Sequence, residues 1–465
     1  MNENNHNTQM LQNLIYNFEA LLEKGEIGTF NKDEFEQLIN FYKSNNSFDK
    51  ALEIVDLAIE QFQYITDFYL IKGDLLLQNH NPEEAINYIR HCENISPYSF
   101  DVKLLKAKAL SMSGNLREVD ELLKELKTFS KLNYSAEFSI IQSYNAEFSG
   151  EHESMFYHLK DALIIDPQNL EALERMRNAT ILTKKYDESL EFHSKLIDES
   201  PYNYMAWYNL GQIYSALSEY ENAIDSLEYS FIINSNFELG YLEFGELCML
   251  TGNYVKASIV YDEYLQRFEG DSEVYANLIQ CNIKLKNLKK ARECAYNSIK
   301  MDPFNDEAYY LLGLIYKKLR NWQKALNAFH KAMDLDEDRE EYIDGVAEMY
   351  LKLKDYKKAE HYFDMLIDTS TPEEQYYIKY ILYLLKQNKY NKAKEVIKIS
   401  EEAAYSPLFN YLEALIKFRQ NNKKEALLSL DNAILESKED CKQFFKWAPE
   451  LKFDKDVISV INYYK

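Results

Sequence analysis

Few residues in this 465-residue chain stand at spacings that support chemistry. His152 and His158 are six apart across a turn and read as solvated rather than as ligands, and no HExxH, no Cys-x-x-Cys and no histidine pair at i,i+4 is present. Cys281 and Cys294 fall on what read as opposite helices of one hairpin, the best case for a metal or redox pair. Cys92 sits in a small-residue slot and reads as packing. Gly240 and Gly245 have the Gly-x4-Gly spacing of a phosphate loop, but Glu246 stands where that loop needs lysine, and the stretch reads as helix interior. Neither GxGxxG nor GxSxG occurs. The acid-rich run "DEDREEYID" (336–344) reads as a solvated turn followed by a helix start. No catalytic residue, metal site or cofactor is expected.

One more stretch resembles a site. "AWYNLGQIY" (206–214) places Trp207, Leu210, Gly211 and Tyr214 at i, i+3, i+4 and i+7, one face of a helix. Glycine inside a helix costs roughly 1 kcal/mol against alanine, so it usually marks a close backbone approach. The same pattern returns as "YLEFGELC" (241–248) and "YYLLGLIY" (309–316), and an alanine follows each glycine twelve residues on: Ala223, Ala257 and Ala325. The alanine itself recurs at Ala51, Ala85, Ala291, Ala359, Ala393 and Ala426, while Val119, Met155 and Ser189 fill the same slot between Ala85 and Ala223. The period is 34 residues with two small irregularities. Twelve repeats result, starting at Lys32, Thr66, Phe100, Ala136, Leu170, Tyr204, Glu238, Ser272, Asp306, Glu340, Glu374 and Pro407.

Each repeat reads as two amphipathic helices joined by a polar turn, and "DPQN", "SPYN" and "DPFN" mark breaks between repeats. Period, aromatic, small-residue and proline positions together resemble the tetratricopeptide repeat (TPR) family over residues 32 to about 440. That resemblance implies an all-α, right-handed solenoid superhelix with a concave groove. Residues 1–31 are then a polar segment with a capping helix, and 441–465 a C-terminal cap. An aromatic tail containing Pro-Glu-Leu is similar to those of TPR proteins from Bacteroidota-type bacteria. The slot of Gly211 is small at Gly73, Ala107, Ser143, Gly245, Gly313, Ala347 and Ala414. Ile39, Arg177, Ile279 and Ile381 depart from it, and their hairpins are expected to pack less tightly. Trp207 and Tyr214 are expected in the core.

The resemblance implies a protein or peptide partner on the first helices, at positions 2, 5, 9, 12 and 13 of each repeat. The acids at position 2, among them Asp33, Asp67, Asp101, Glu137 and Glu171, suit the first turn of a helix and make no case for a basic partner. TPR domains that hold an Hsp70 or Hsp90 C-terminal carboxylate use lysines and an arginine around two asparagines. Asn178 and Asn209 match the asparagines, but Glu174, Leu239 and Glu243 stand in the basic slots, so that partner is not expected. What remains is apolar, and the expected partner-binding strip is Tyr144, Phe148, Met205, Tyr208, Leu242 and Met249, with Asn178 and Asn209 holding an extended backbone.

The net charge of −23 opposes binding to nucleic acid or anionic membrane, and no apolar run is long enough to span a bilayer. Five scattered cysteines and a polar N-terminus fit a cytoplasmic protein. The expected function is a non-enzymatic interaction scaffold, the alternative a fixed accessory subunit of an enzyme or secretion complex.

Overall fold

The computed structural model describes residues 2–23, 28–44, 47–126, 135–368, 373–403 and 406–464. Every described element is helical: twenty-seven α-helices and one 3-10 turn, with no strand among the described residues. The chain forms two compact units, residues 1–240 and 241–465.

Local sequence explains the helix ends. Asn169, Asn203 and Asn305 cap first helices, each accepting a hydrogen bond from the backbone N–H three residues on. Asn81, Asn253, Asn321 and Asp355 do the same for second helices. The turn inside a hairpin needs one residue in the left-handed region. Gly114, Gly150 and Gly252 take it freely, whereas Lys184, Ser218 and Arg320 are held there at φ of 56°, 63° and 57°.

Packing follows from the alanine slot. Ala51, Ala85, Ala223, Ala257, Ala291, Ala325, Ala359, Ala393 and Ala426 are all fully buried, as are Val119 and Ser189, with Met155 nearly so. Across the hairpin, a Cβ added to Gly211 would lie 2.7 Å from Leu227, and one added to Gly313 2.5 Å from Phe329. The small residue therefore sets the helix separation. Hairpins with Gly211, Gly313 or Ser143 in that slot are intimately packed and those with Ile39, Ile279 or Ile381 are looser, but the Ala107 hairpin, helices Phe100–Met112 and Leu116–Leu126, is looser still despite its small residue. The Arg177 hairpin, helices Leu170–Thr183 and Tyr186–Glu199, barely touches along its length.

Two expectations need correction. Trp207 and Tyr214 are half-buried, not core. Trp207 lies against Tyr229, ring centroids 4.6 Å apart, and its indole N–H donates to the Pro201 carbonyl at 2.9 Å, so the ring covers the hairpin from its edge.

In the first unit, Phe18 of the helix Asn2–Glu23 packs with Phe35, Leu38 and Ile54 of the first hairpin. In the second, Phe444 and Val457, from the helices Cys441–Trp447 and Lys455–Tyr463, join the core around Leu430 and Tyr411. Burial pushes the thiols of Cys92, Cys281 and Cys294 up to about 11. All three are protonated at neutral pH, unsuited to redox or thiolate chemistry.

Candidate functional site

The first helices of the first unit line a concave channel. Leu70 and Ile71 from Thr66–Gln78 and Leu104 and Leu105 from Phe100–Met112 form its half-buried apolar floor. Ile39 and Ile141 close it from either side, enclosing a cavity of about 320 Å³. Of the charges around it, both lysines and Asp74 are paired, while Asp101 and Glu137 stand exposed to solvent at the rim. Lys43 pairs with Asp74 at 2.8 Å, and Lys108 reaches past one repeat to Glu171 at 2.6 Å. An incoming ligand meets hydrocarbon first, with paired ions at the rim.

Farther along, five residues form one network. The Tyr144 hydroxyl donates to Glu171 at 3.0 Å, and the Arg175 guanidinium lies 3.4 Å from the centre of the Tyr144 ring. Arg175 also pairs with Glu147 at 2.9 Å and donates to the Ser143 hydroxyl at 3.1 Å. This stacked, bidentate use of arginine locks helices Ala136–Phe148 and Leu170–Thr183 together. Glu174 is exposed at its tip, with protein atoms packed around the rest of its side chain. That enclosure, with Glu171 nearby, raises its carboxyl above the ordinary range, and Arg177 and His80 oppose the rise.

The structure divides the expected strip. Phe148 is 52% exposed and lies over the Gly114 turn, Asn178 is exposed, and Tyr144 is half-buried beneath Arg175. Met205, Tyr208 and Asn209 are buried, against the expectation of a contact surface. Tyr208 meets Phe237 edge-to-face at 5.0 Å and accepts a hydrogen bond from Arg177 at 3.0 Å. Asn209 is turned inward, its amide donating to the Leu173 carbonyl at 2.8 Å and to His193 Nε2 at 3.2 Å. Period alone placed these residues on the groove side. The 234–237 turn that covers Tyr208 and the histidine that claims Asn209 carry no periodic signal. Leu242 and Met249 are half-buried on the helix Glu238–Leu250 of the second unit.

Half of the channel floor lies outside the contact positions that the resemblance implies, because Ile71 and Leu105 occupy the sixth place of their repeats; Leu70 and Leu104 hold the fifth, which those positions include. A signal existed: "YLI" (69–71) and "KLL" (103–105) put adjacent apolar residues at the fifth and sixth places of neighbouring repeats.

Comparison with known proteins agrees on the repeat. Family models described as tetratricopeptide repeat match residues 66–99, 206–229 and 306–339. The TPR repeat-containing protein MJ1428 of Methanocaldococcus jannaschii is 22% identical over 299 residues, 60% of this chain and 51% of that one. BBSome complex member BBS4 of Bos taurus is 24% identical over 149 residues, 32% of this chain and 28% of that one. The chain thus spans about half, or less, of the curated relatives it matches. Among solved structures, a tetratricopeptide repeat protein from Parabacteroides merdae aligns with a TM-score of 0.39 at 18% identity, covering 56% of this chain and 97% of that one. YrrB, a TPR protein with an unusual peptide-binding site, aligns at 0.34 and 18% identity, covering 40% and 94%. The chain carries tetratricopeptide repeats, a fold that generally mediates protein–protein interaction without catalysis. Among the described residues, no helix is long and apolar enough to cross a membrane.

Proposed function

We propose that this repeat protein is a non-enzymatic scaffold that holds an apolar segment of a partner protein in the channel of its first unit. One observation carries the reading: Leu70, Ile71, Leu104 and Leu105 leave an accessible hydrocarbon floor between ion pairs that are already satisfied. Apolar side chains seated there gain about 25 cal/mol for each Å² removed from water, and neither lysine at the rim loses its ion pair. Phe148 and Asn178 extend the surface along the same unit, and Leu242 and Met249 are kept as candidate contacts of the second unit by itself. Met205, Tyr208 and Asn209 serve helix packing instead.

The partner is not a C-terminal carboxylate of the Hsp70 or Hsp90 kind, because Glu174 would repel one. The net charge of −23 argues equally against nucleic acid. We read residues 32–440 as twelve consecutive repeats flanked by 1–31 and 441–465, acting in the cytoplasm, where five buried, unpaired cysteines stay reduced.

A displayed peptide library selected on the full chain tests the reading. Enriched peptides should carry two or more large apolar residues, and the Leu70→Glu, Leu104→Glu double variant should lose them by at least about tenfold while keeping its helical content. Peptides retained by that variant at unchanged affinity would remove the channel from the function.

A further inference from the structure

The splayed hairpin of Arg177 opens a second cavity, of about 310 Å³, that the groove reading does not use. It is lined by Arg177 and Ile181 from the helix Leu170–Thr183, Tyr186 and His193 from Tyr186–Glu199, and Asn209 and Gln212 from Tyr204–Ala216. In the next hairpin, where Gly211 holds the place of Arg177, the two helices close on each other.

The hydrogen bonds at the base of the cavity leave one group over. His193 is fully buried, and its Nδ1 lies 2.8 Å from the Ser189 carbonyl, which can only accept. The proton is therefore on Nδ1, and Nε2 is an acceptor. Asn209 gives its two amide hydrogens to Nε2 and to the Leu173 carbonyl, which also fixes which way its amide is turned. Its carbonyl Oδ1 has no partner, although Asn209 is only 1% exposed. A buried acceptor without a donor is costly and marks a position where a ligand's N–H would be met. Arg177, which lines the same cavity, donates one N–H to Tyr208 and pairs with no carboxylate among the described residues, so donors remain for a ligand oxygen.

We propose that this cavity is a binding site for a primary carboxamide, its oxygen accepting from Arg177 and its NH2 donating to Asn209 Oδ1. The alternatives fit worse. A carboxylate would satisfy Arg177 but face Oδ1 and the nearby Glu174, an ammonium would meet Oδ1 but be repelled by Arg177, and a hydrocarbon would leave both unmet. Ile181 and Ile213 supply apolar walls for a ring or methylene chain next to the amide.

The test uses the full-length protein and defined probes. Benzamide, benzoate and toluene are titrated by ligand-observed NMR, together with acetyl-Gly-Gln-Gly-amide and its glutamate counterpart. Benzamide should bind about tenfold tighter than benzoate or toluene, the effect of one well-met buried hydrogen bond. Soaked crystals should place its amide between Arg177 and Asn209. Discrimination by the glutamine peptide alone assigns the site to a partner's side chain, and discrimination by benzamide alone to a free small molecule. Arg177→Ala should abolish the preference. Ala216→Leu, at the solvent-exposed edge of the cavity and without any hydrogen bond to lose, should weaken benzamide with the protein folded. Equal affinity for benzamide and benzoate, no binding by any probe, or full binding by Ala216→Leu overturns the proposal.

Discussion

Two neighbouring hairpins of the first unit, 170–199 and 204–233, share one plan and differ at one slot. In the second, Gly211 lets Leu227 press against the backbone of the first helix, and the two helices are as closely packed as any in the chain. In the first, Arg177 stands in that slot, and the two helices separate. The space is not filled with hydrocarbon. It is bridged by Thr180, Ser189, His193 and Asn209, with the Thr180 and Ser189 hydroxyls 2.9 Å apart. One side chain thus changes the interior from close-packed apolar to hydrogen-bonded polar. In this pair of hairpins, a change at the small slot goes with a change in the kind of core.

The largest effect should come from erasing the difference at the tight end. Gly211→Leu places a branched side chain where even a Cβ would lie 2.7 Å from Leu227 and 3.2 Å from its backbone nitrogen. Overpacking here should cost about 3 kcal/mol, read from urea unfolding, whereas Ala325→Leu in the second unit should cost about 1–3 kcal/mol. An unchanged midpoint for Gly211→Leu would mean the hairpin separates as easily as its neighbour, and the contrast would vanish.

A similar loss should appear at the loose end under acid. Burial depresses the His193 imidazolium to about 4 from an ordinary 6.5. A depressed folded value means the unfolded chain takes up the proton first as pH falls. The neutral histidine's contribution is therefore complete above 6.5 and is lost between 6.5 and about 4. The loss should amount to about 3 kcal/mol at most. Unfolding of the parent and of His193→Phe at pH 7 and pH 5 checks this, and an equal fall in both would relieve His193 of the effect.

The smallest effect should be a change of local opening. Amides of 170–199 should exchange faster than those of 204–233, and Arg177→Ala should narrow the gap by roughly 1 kcal/mol as the helices close. Equal protection in the parent would show that the polar bridge holds the hairpin as firmly as hydrocarbon does.

Much of the architecture was legible in the sequence because it repeats. A 34-residue period with an alanine on one helix and a small residue on the other is a statement about distance, and Ala223, Ala257 and Ala325 are buried for that reason. The period also exposed Arg177 as an exception, although the isoleucine exceptions proved milder: Ile279 and Ile381 are apolar and join the core. The candidate site was legible only in part, since periodicity says which side of a helix a residue occupies but not what lies above it. Tyr208 and Asn209 have the positions of groove residues, and Phe237 and His193, from neighbouring elements, take them out of contact with solvent. The sequence by itself determined the helices, their pairing and the spacing within each pair, all set by contacts of short sequence separation. Only the tertiary structure decided which surfaces stay open, because exposure depends on side chains 16 to 63 residues away, as His193 to Asn209 and Lys108 to Glu171 show.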